Sequence, residues 1–167
     1  MIIRRSGDRN IGIFIDGISL DRATRKIGRR IQWKSFKESL SQGRKPVLSN
    51  YYTVIPFEDD ARQHSFLDAV ERDGFSVNIK RLPPKGIDRQ VTADVEITTD
   101  LCNFALTTEN ARAILVCPSR ELAYPMRILD DRKIECVIVD FGTPQSPELM
   151  KAATNWIDLS TTEGIWL

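Results

Sequence analysis

Short apolar runs alternate along this chain with longer stretches in which apolar residues recur every three or four positions. Residues 11–15, Ile-Gly-Ile-Phe-Ile, form a continuous apolar run that ends at Asp16-Gly17, the pattern of a strand buried on both faces, and such strands belong mainly to parallel sheets. Similar strands are expected at 48–55, 75–81, 113–117, 135–141 and 156–159. Between them the period becomes helical. Trp33, Phe36 and Leu40 place an apolar stripe on a helical region spanning 20–40, and Phe66, Leu67 and Val70 do so for 58–72. Ile97, Leu101 and Phe104 mark a helix at 92–106, and further helices are expected at 119–131 and 146–153. Strands alternating with helices imply βαβ crossovers, hence an α/β fold with a mainly parallel sheet covered on both faces.

The chain has 167 residues, enough for one domain with a substantial core. Residues 11–159 carry the pattern, 1–10 read as an N-terminal arm and 160–167 as a tail that is flexible or docks on a partner. No apolar run reaches the roughly 18 residues of a membrane span, and the charged start lacks the apolar segment of a secretory signal, so a cytoplasmic protein without membrane contact is expected. Three cysteines, none in a C-x-x-C pair, and a single histidine argue against a zinc ribbon, a disulfide scaffold or histidine-based catalysis. Cys117 and Cys136 fall inside apolar runs and read as core residues.

The net charge of +1 conceals an asymmetry. Residues 1–50 hold 12 Lys and Arg against 4 Asp and Glu, whereas the remainder holds 12 against 19. Arg22, Arg25, Lys26, Arg29, Arg30, Lys34 and Lys37 follow the first strand, and Lys80, Arg81, Lys85 and Arg89 follow the third. Such clusters suit a phosphate backbone.

Sites in open α/β sheets form at the carboxyl ends of strands. The residues gathered there are mostly carboxylates: Asp16 after the first strand, Asp94 and Asp100 on the helix at 92–106, and Glu121 after the strand at 113–117. On a helix Glu96 and Asp100 are i, i+4 neighbours on one face while Asp94 lies about 120° round from Asp100, and either Asp94 or Glu96 is a candidate to share a site with Asp100. Carboxylates without histidine or cysteine suit a hard cation, Mg²⁺ or Mn²⁺, and phosphodiester cleavage is the natural chemistry of such a centre. Neither G-x-G-x-x-G nor G-x-x-x-x-G-K-[ST] is present, which removes dinucleotide and P-loop nucleotide binding.

In order and spacing these motifs resemble those of the NYN-domain (LabA-like) proteins of the PIN-like nuclease superfamily. Residues 11–19 resemble the opening strand and D-G-x-N motif, Tyr51-Tyr52-Thr53 the second strand, and 73–77 its N-G-Y-x-V turn. Residues 94–100 resemble D-[IV]-x-L-x-x-D, 114–122 occupy the place of L-x-S-G-D-x-D-F, and 152–159 resemble the closing A-D-x-F-I-D-L. The resemblance implies a PIN-like, Rossmann-like three-layer sandwich whose carboxylates Asp16, Asp94, Asp100 and Glu121 bind Mg²⁺ or Mn²⁺ and cut RNA, single-stranded or structured. Ser19, Arg22, Arg25, Lys26, Lys34, Lys80, Lys85, Arg89, Ser119 and Arg120 are the expected contacts to that RNA. Several positions depart from the pattern: Ser19 replaces the motif asparagine, Cys117 and Pro118 replace S-G, and Ser119 and Glu121 replace the two aspartates of S-G-D-x-D-F. The competing expectation is therefore a degenerate NYN domain that binds RNA or protein without cleavage. A third is a regulatory protein, with homo-oligomerisation or partner docking through the tail and Trp166.

Overall fold

The computed structural model describes residues 9–58, 61–84, 91–142 and 146–167. Six parallel strands form one sheet: β1 (Asn10–Asp16), β2 (Leu48–Ile55), β3 (Ser76–Arg81), β4 (Ala111–Val116), β5 (Glu135–Asp140) and β6 (Asn155–Asp158), in the order β3-β2-β1-β4-β5-β6. The connections carry helices α1 (Gly17–Ile27), α2 (Trp33–Ser41), α3 (Ala61–Arg72), α4 (Asp94–Thr107), α5 (Ala123–Asp131) and α6 (Pro147–Ala152). This is the α/β sandwich that alternating strands and helices foretell.

Strand alternation assigns the two cores. Phe14, Tyr52, Leu115 and Ile138 point to one face, where Ile97, Leu101 and Phe104 of α4, Met126 and Leu129 of α5 and Leu149 of α6 cover them. Ile13, Ile15, Tyr51, Val116 and Val139 point to the other, under Leu20 of α1, Phe36 and Leu40 of α2 and Val70 of α3. Cys117 and Cys136 are buried, as their apolar settings suggest. Burial pushes the Cys136 thiol up to about 12, so it stays protonated at neutral pH.

Two elements differ from the sequence pattern. The helical region expected at 20–40 is two helices, because Gly28 adopts φ 68°, a left-handed conformation that caps α1 and turns the chain. The tail at 160–167 packs on the domain itself. Ile165 is buried, Trp166 bridges to Ile31, and the Trp166 ring meets Phe141 edge-on at 5.5 Å. The aromatic expected to seek a partner is thus spent inside the fold. Among the described residues, no helix is long and apolar enough to cross a membrane.

Candidate functional site at the carboxyl edge of the sheet

Asp16 is the last residue of β1 and the N-cap of α1. Its Oδ1 accepts from the Ser19 backbone N–H at 3.3 Å and its Oδ2 from the Ser19 hydroxyl at 3.1 Å. Ser19 thus orients the carboxylate where the family motif has asparagine. Gly17 is required for the same turn: a Cβ there would strike the Tyr51 ring. Asp16 is only 9% exposed. Burial raises its pKa and the charge of Asp94 adds to the rise, against the Ser19 hydrogen bonds, which lower it.

Asp94 opens α4, which comes to the same edge, and Ser119 Oγ donates to its Oδ1 at 2.9 Å. Ser119 stands just before a helical turn, the usual place of a capping serine. Instead it makes no such bond to the 3-10 turn at Arg120–Leu122, and its hydroxyl is turned towards Asp94. The serine thus fixes a carboxylate of another helix.

The other two expected carboxylates lie elsewhere. Asp100 is six residues further along α4, about 9 Å down its axis at 1.5 Å per residue. There its Oδ2 accepts from the Tyr52 hydroxyl at 2.8 Å, and that hydroxyl accepts from Asn50 Nδ2 at 2.9 Å. Asp100 also lines a small cavity with Val47 and Leu48, at the amino end of β2, whereas Asp16 stands at the carboxyl end of β1. Burial, helped by Asp100, raises the Tyr52 pKa, which keeps the phenol a donor. Tyr52→Phe is expected to cost about 1–3 kcal/mol by leaving Asn50 and Asp100 without this partner. Denaturant unfolding would measure it, and an unchanged midpoint would show the chain of bonds to be idle. Glu121 is exposed and pairs with Arg120 at 3.3 Å. Glu96 is held by Lys80 at 2.9 Å, which lowers its pKa, so neither residue is simply solvated.

Sequence reasoning missed Asp140. It ends β5, is 1% exposed and accepts from the Phe141 N–H at 2.6 Å. The registers Ile15 to Val116 and Val116 to Val139 put Asp16, Cys117 and Asp140 in one row across the edge. Cys117, in a left-handed conformation at φ 50°, has its thiol pushed up by burial and by both aspartates. The signal was present: Val-Ile-Val-Asp ends β5 as Ile-Phe-Ile-Asp ends β1.

Among the described residues no three His, Cys, Asp or Glu side chains come close enough together to hold a metal ion. Asp16 and Asp94 feel each other's charge, but no third carboxylate joins them within metal-binding reach.

Asp16 carries a stability consequence. A carboxyl whose folded pKa exceeds its unfolded one binds more protons when folded, so stability falls as pH rises from about the ordinary aspartate value of 3.8 through the raised one, and the loss persists above it. Asn caps a helix as well as Asp. Asp16→Asn is therefore expected to stabilise the protein at neutral pH by about 0.5–2 kcal/mol, and to lose that advantage in acid. Thermal melts from pH 3 to 8 test this; a variant less stable at neutral pH would refute it.

The basic residues reach the same edge. α1 starts at Asp16, and Ile31, just beyond it, is bridged to Trp166 against Phe141, the residue after Asp140. Both ends of the α1 segment are pinned to the carboxyl edge, so Arg22, Arg25 and Lys26 run beside it, and all three are exposed. Arg25 pairs with Asp21 at 3.0 Å, and the Arg29 guanidinium lies 5.5 Å from the Trp166 ring centroid. Lys34 is exposed on α2; Lys80 is committed to Glu96 and to the Thr92 carbonyl. Lys85 and Arg89 lie outside the described residues. A cavity of about 550 Å³ opens on the face of β4–β6 lined by Leu40, Ile114, Val137 and Leu159, and contains none of the site carboxylates.

A sequence profile of the NYN domain matches residues 10–160. The chain belongs to the NYN-domain family. Its fold is that of a solved protein of unknown function from Vibrio parahaemolyticus RIMD 2210633, with a TM-score of 0.79 at 18% identity over 99% of this chain and 100% of the other. No curated protein matches the sequence. The NYN domain, matched over residues 10–160, thus spans α1 and both members of the Asp16–Asp94 pair.

Proposed function

We propose that this NYN domain binds RNA along the basic α1 rim and has lost the carboxylate constellation needed to cut it. One observation carries the reading: Ser119, which the resemblance sets at the place of a motif aspartate, donates to Asp94, and among the described residues no third His, Cys, Asp or Glu side chain joins Asp16 and Asp94 closely enough to hold a metal ion. The loss of a ligand matters because a divalent ion takes several oxygen donors at once. The rim supplies what binding needs, exposed cations beside an edge open to a phosphate chain.

A second reading keeps the enzyme, with Asp16, Asp94, Asp100 and Glu121 around Mg²⁺ or Mn²⁺. The favourable observation is the crowding of Asp16 by Asp94, a strain that a cation would relieve. Labelled RNA incubated with Mn²⁺ separates the two. Wild type, Asp16→Asn and Asp100→Asn are expected to bind RNA alike and to leave it intact. Metal-dependent cutting abolished by both substitutions would establish the nuclease.

A further inference from the structure

Helices α1, α2 and α3, which join β1 to β2 and β2 to β3, gather over one half of their sheet face, and α5 and α6 pack on the opposite face of β4 and β5. The other half of the first face, from β4 to β6, is the floor of the cavity of about 550 Å³, a volume that suits a small ligand. Ile114, Val137 and Leu159 line this space, yet each is no more than 8% exposed, so it is recessed between α2 and β6.

The cavity is polar at one end. Arg112, Glu135 and Asn155 stand at the starts of β4, β5 and β6, and Gln42, the C-cap of α2, joins them there. Val139, Ile157 and Leu159 lie further along and are aliphatic. Arg112 Nε holds Glu135 Oε2 at 2.7 Å and Arg9 Nη2 holds Oε1 at 2.9 Å, with the two arginine side chains only 14% and 15% exposed. Two guanidinium groups thus share one carboxylate, and a positive charge is left over where water screens it poorly. Arg112 engages Glu135 through Nε, which leaves its Nη groups as donors. Asn155 turns Oδ1 to the Trp156 N–H at 2.8 Å, which leaves Nδ2 as another.

We infer that this cavity binds a small amphipathic monocarboxylate, with its headgroup on Arg112 and Asn155 and its aliphatic body along Val137, Val139, Ile157 and Leu159. One negative charge balances the surplus, and a guanidinium offers a carboxylate paired donors. A phosphate monoester brings about two charges and overshoots. An alkyl body on the aliphatic floor removes apolar area from water on both sides. The site is independent of the α1 rim and of the RNA reading.

Calorimetric titration of the full chain with octanoate, octanol and acetate tests this. Octanoate is expected to bind at a single saturable site. Octanol, which lacks the charge, should bind about 10- to 100-fold more weakly, and acetate, which lacks the body, should give no saturable heat. Asn155→Asp keeps the acceptor for the Trp156 N–H while cancelling the surplus charge, so it should weaken octanoate by about tenfold or more and leave octanol unchanged. Arg112→Gln should act in the same direction. Equal affinity for octanoate and octanol, or an unaltered octanoate affinity in Asn155→Asp, would overturn the headgroup assignment. Absence of saturable octanoate uptake by wild type would overturn the site, and a dimer in sedimentation that Ile157→Asp dissociates would give this face to a second copy instead.

Discussion

Replacing Arg22, Arg25 and Lys26 together by alanine is expected to lower RNA affinity on the order of 100-fold at low salt and to reduce the magnitude of the log–log salt slope by about 2, since each single-strand phosphate contact contributes about 0.7. The effect follows from where α1 lies. Asp16 anchors its start, and the Ile31–Trp166 bridge holds the segment beyond it beside Phe141, so these exposed cations lie on a segment tied at both ends to the carboxyl edge. Alanine favours helix, and Leu20 and Ala23 remain to hold α1 on the sheet, so the fold should survive. Anisotropy titrations at several salt concentrations read both quantities. A triple variant that matches wild type in affinity and slope would move the RNA to another surface.

Ser119→Asp is expected to produce the second large effect, adding a donor beside the Asp16–Asp94 pair. Ser119 Oγ is 2.9 Å from Asp94 Oδ1, so an aspartate there puts a third carboxylate beside Asp94 and Asp16. Without metal the added like charge should destabilise the variant, because three carboxylates then share a partly buried edge. Mn²⁺ at about 100 times its dissociation constant should return about 2.7 kcal/mol by binding only the folded state. For a chain of this size that is roughly 5–10 °C in melting temperature, against no Mn²⁺-dependent shift for wild type. If the variant's melting temperature ignored Mn²⁺, the edge would be the wrong shape for a cation whatever its charge.

β1, β4 and β5 were legible as short, almost wholly buried apolar runs, whereas β3 and β6, at the sheet edges and largely exposed, showed only as short stretches between turn-forming residues. The stripe Ile97, Leu101 and Phe104 likewise fixed the inner side of α4. What sits beside a polar residue was not legible. Asp100 looked equivalent to Asp94 on one helix, yet six residues of helical rise carry it to Tyr52, which no spacing along the chain relates to it. Ser119 had the local setting of an N-cap, but a neighbour from another helix offered its hydroxyl a charged acceptor. Gly28 looked like a residue within a helix until its positive φ ended one. Asp140 could have been found by treating every apolar run that ends in aspartate alike.

Calorimetric titration of the wild-type chain with Mn²⁺ tests most directly whether Asp16 and Asp94, with serine at 119, are too few to hold a cation. No saturable uptake below millimolar Mn²⁺ is expected, for wild type and Asp16→Asn alike. Binding of an ion at micromolar concentration, lost in Asp16→Asn, would contradict the account and return the edge to the nucleases.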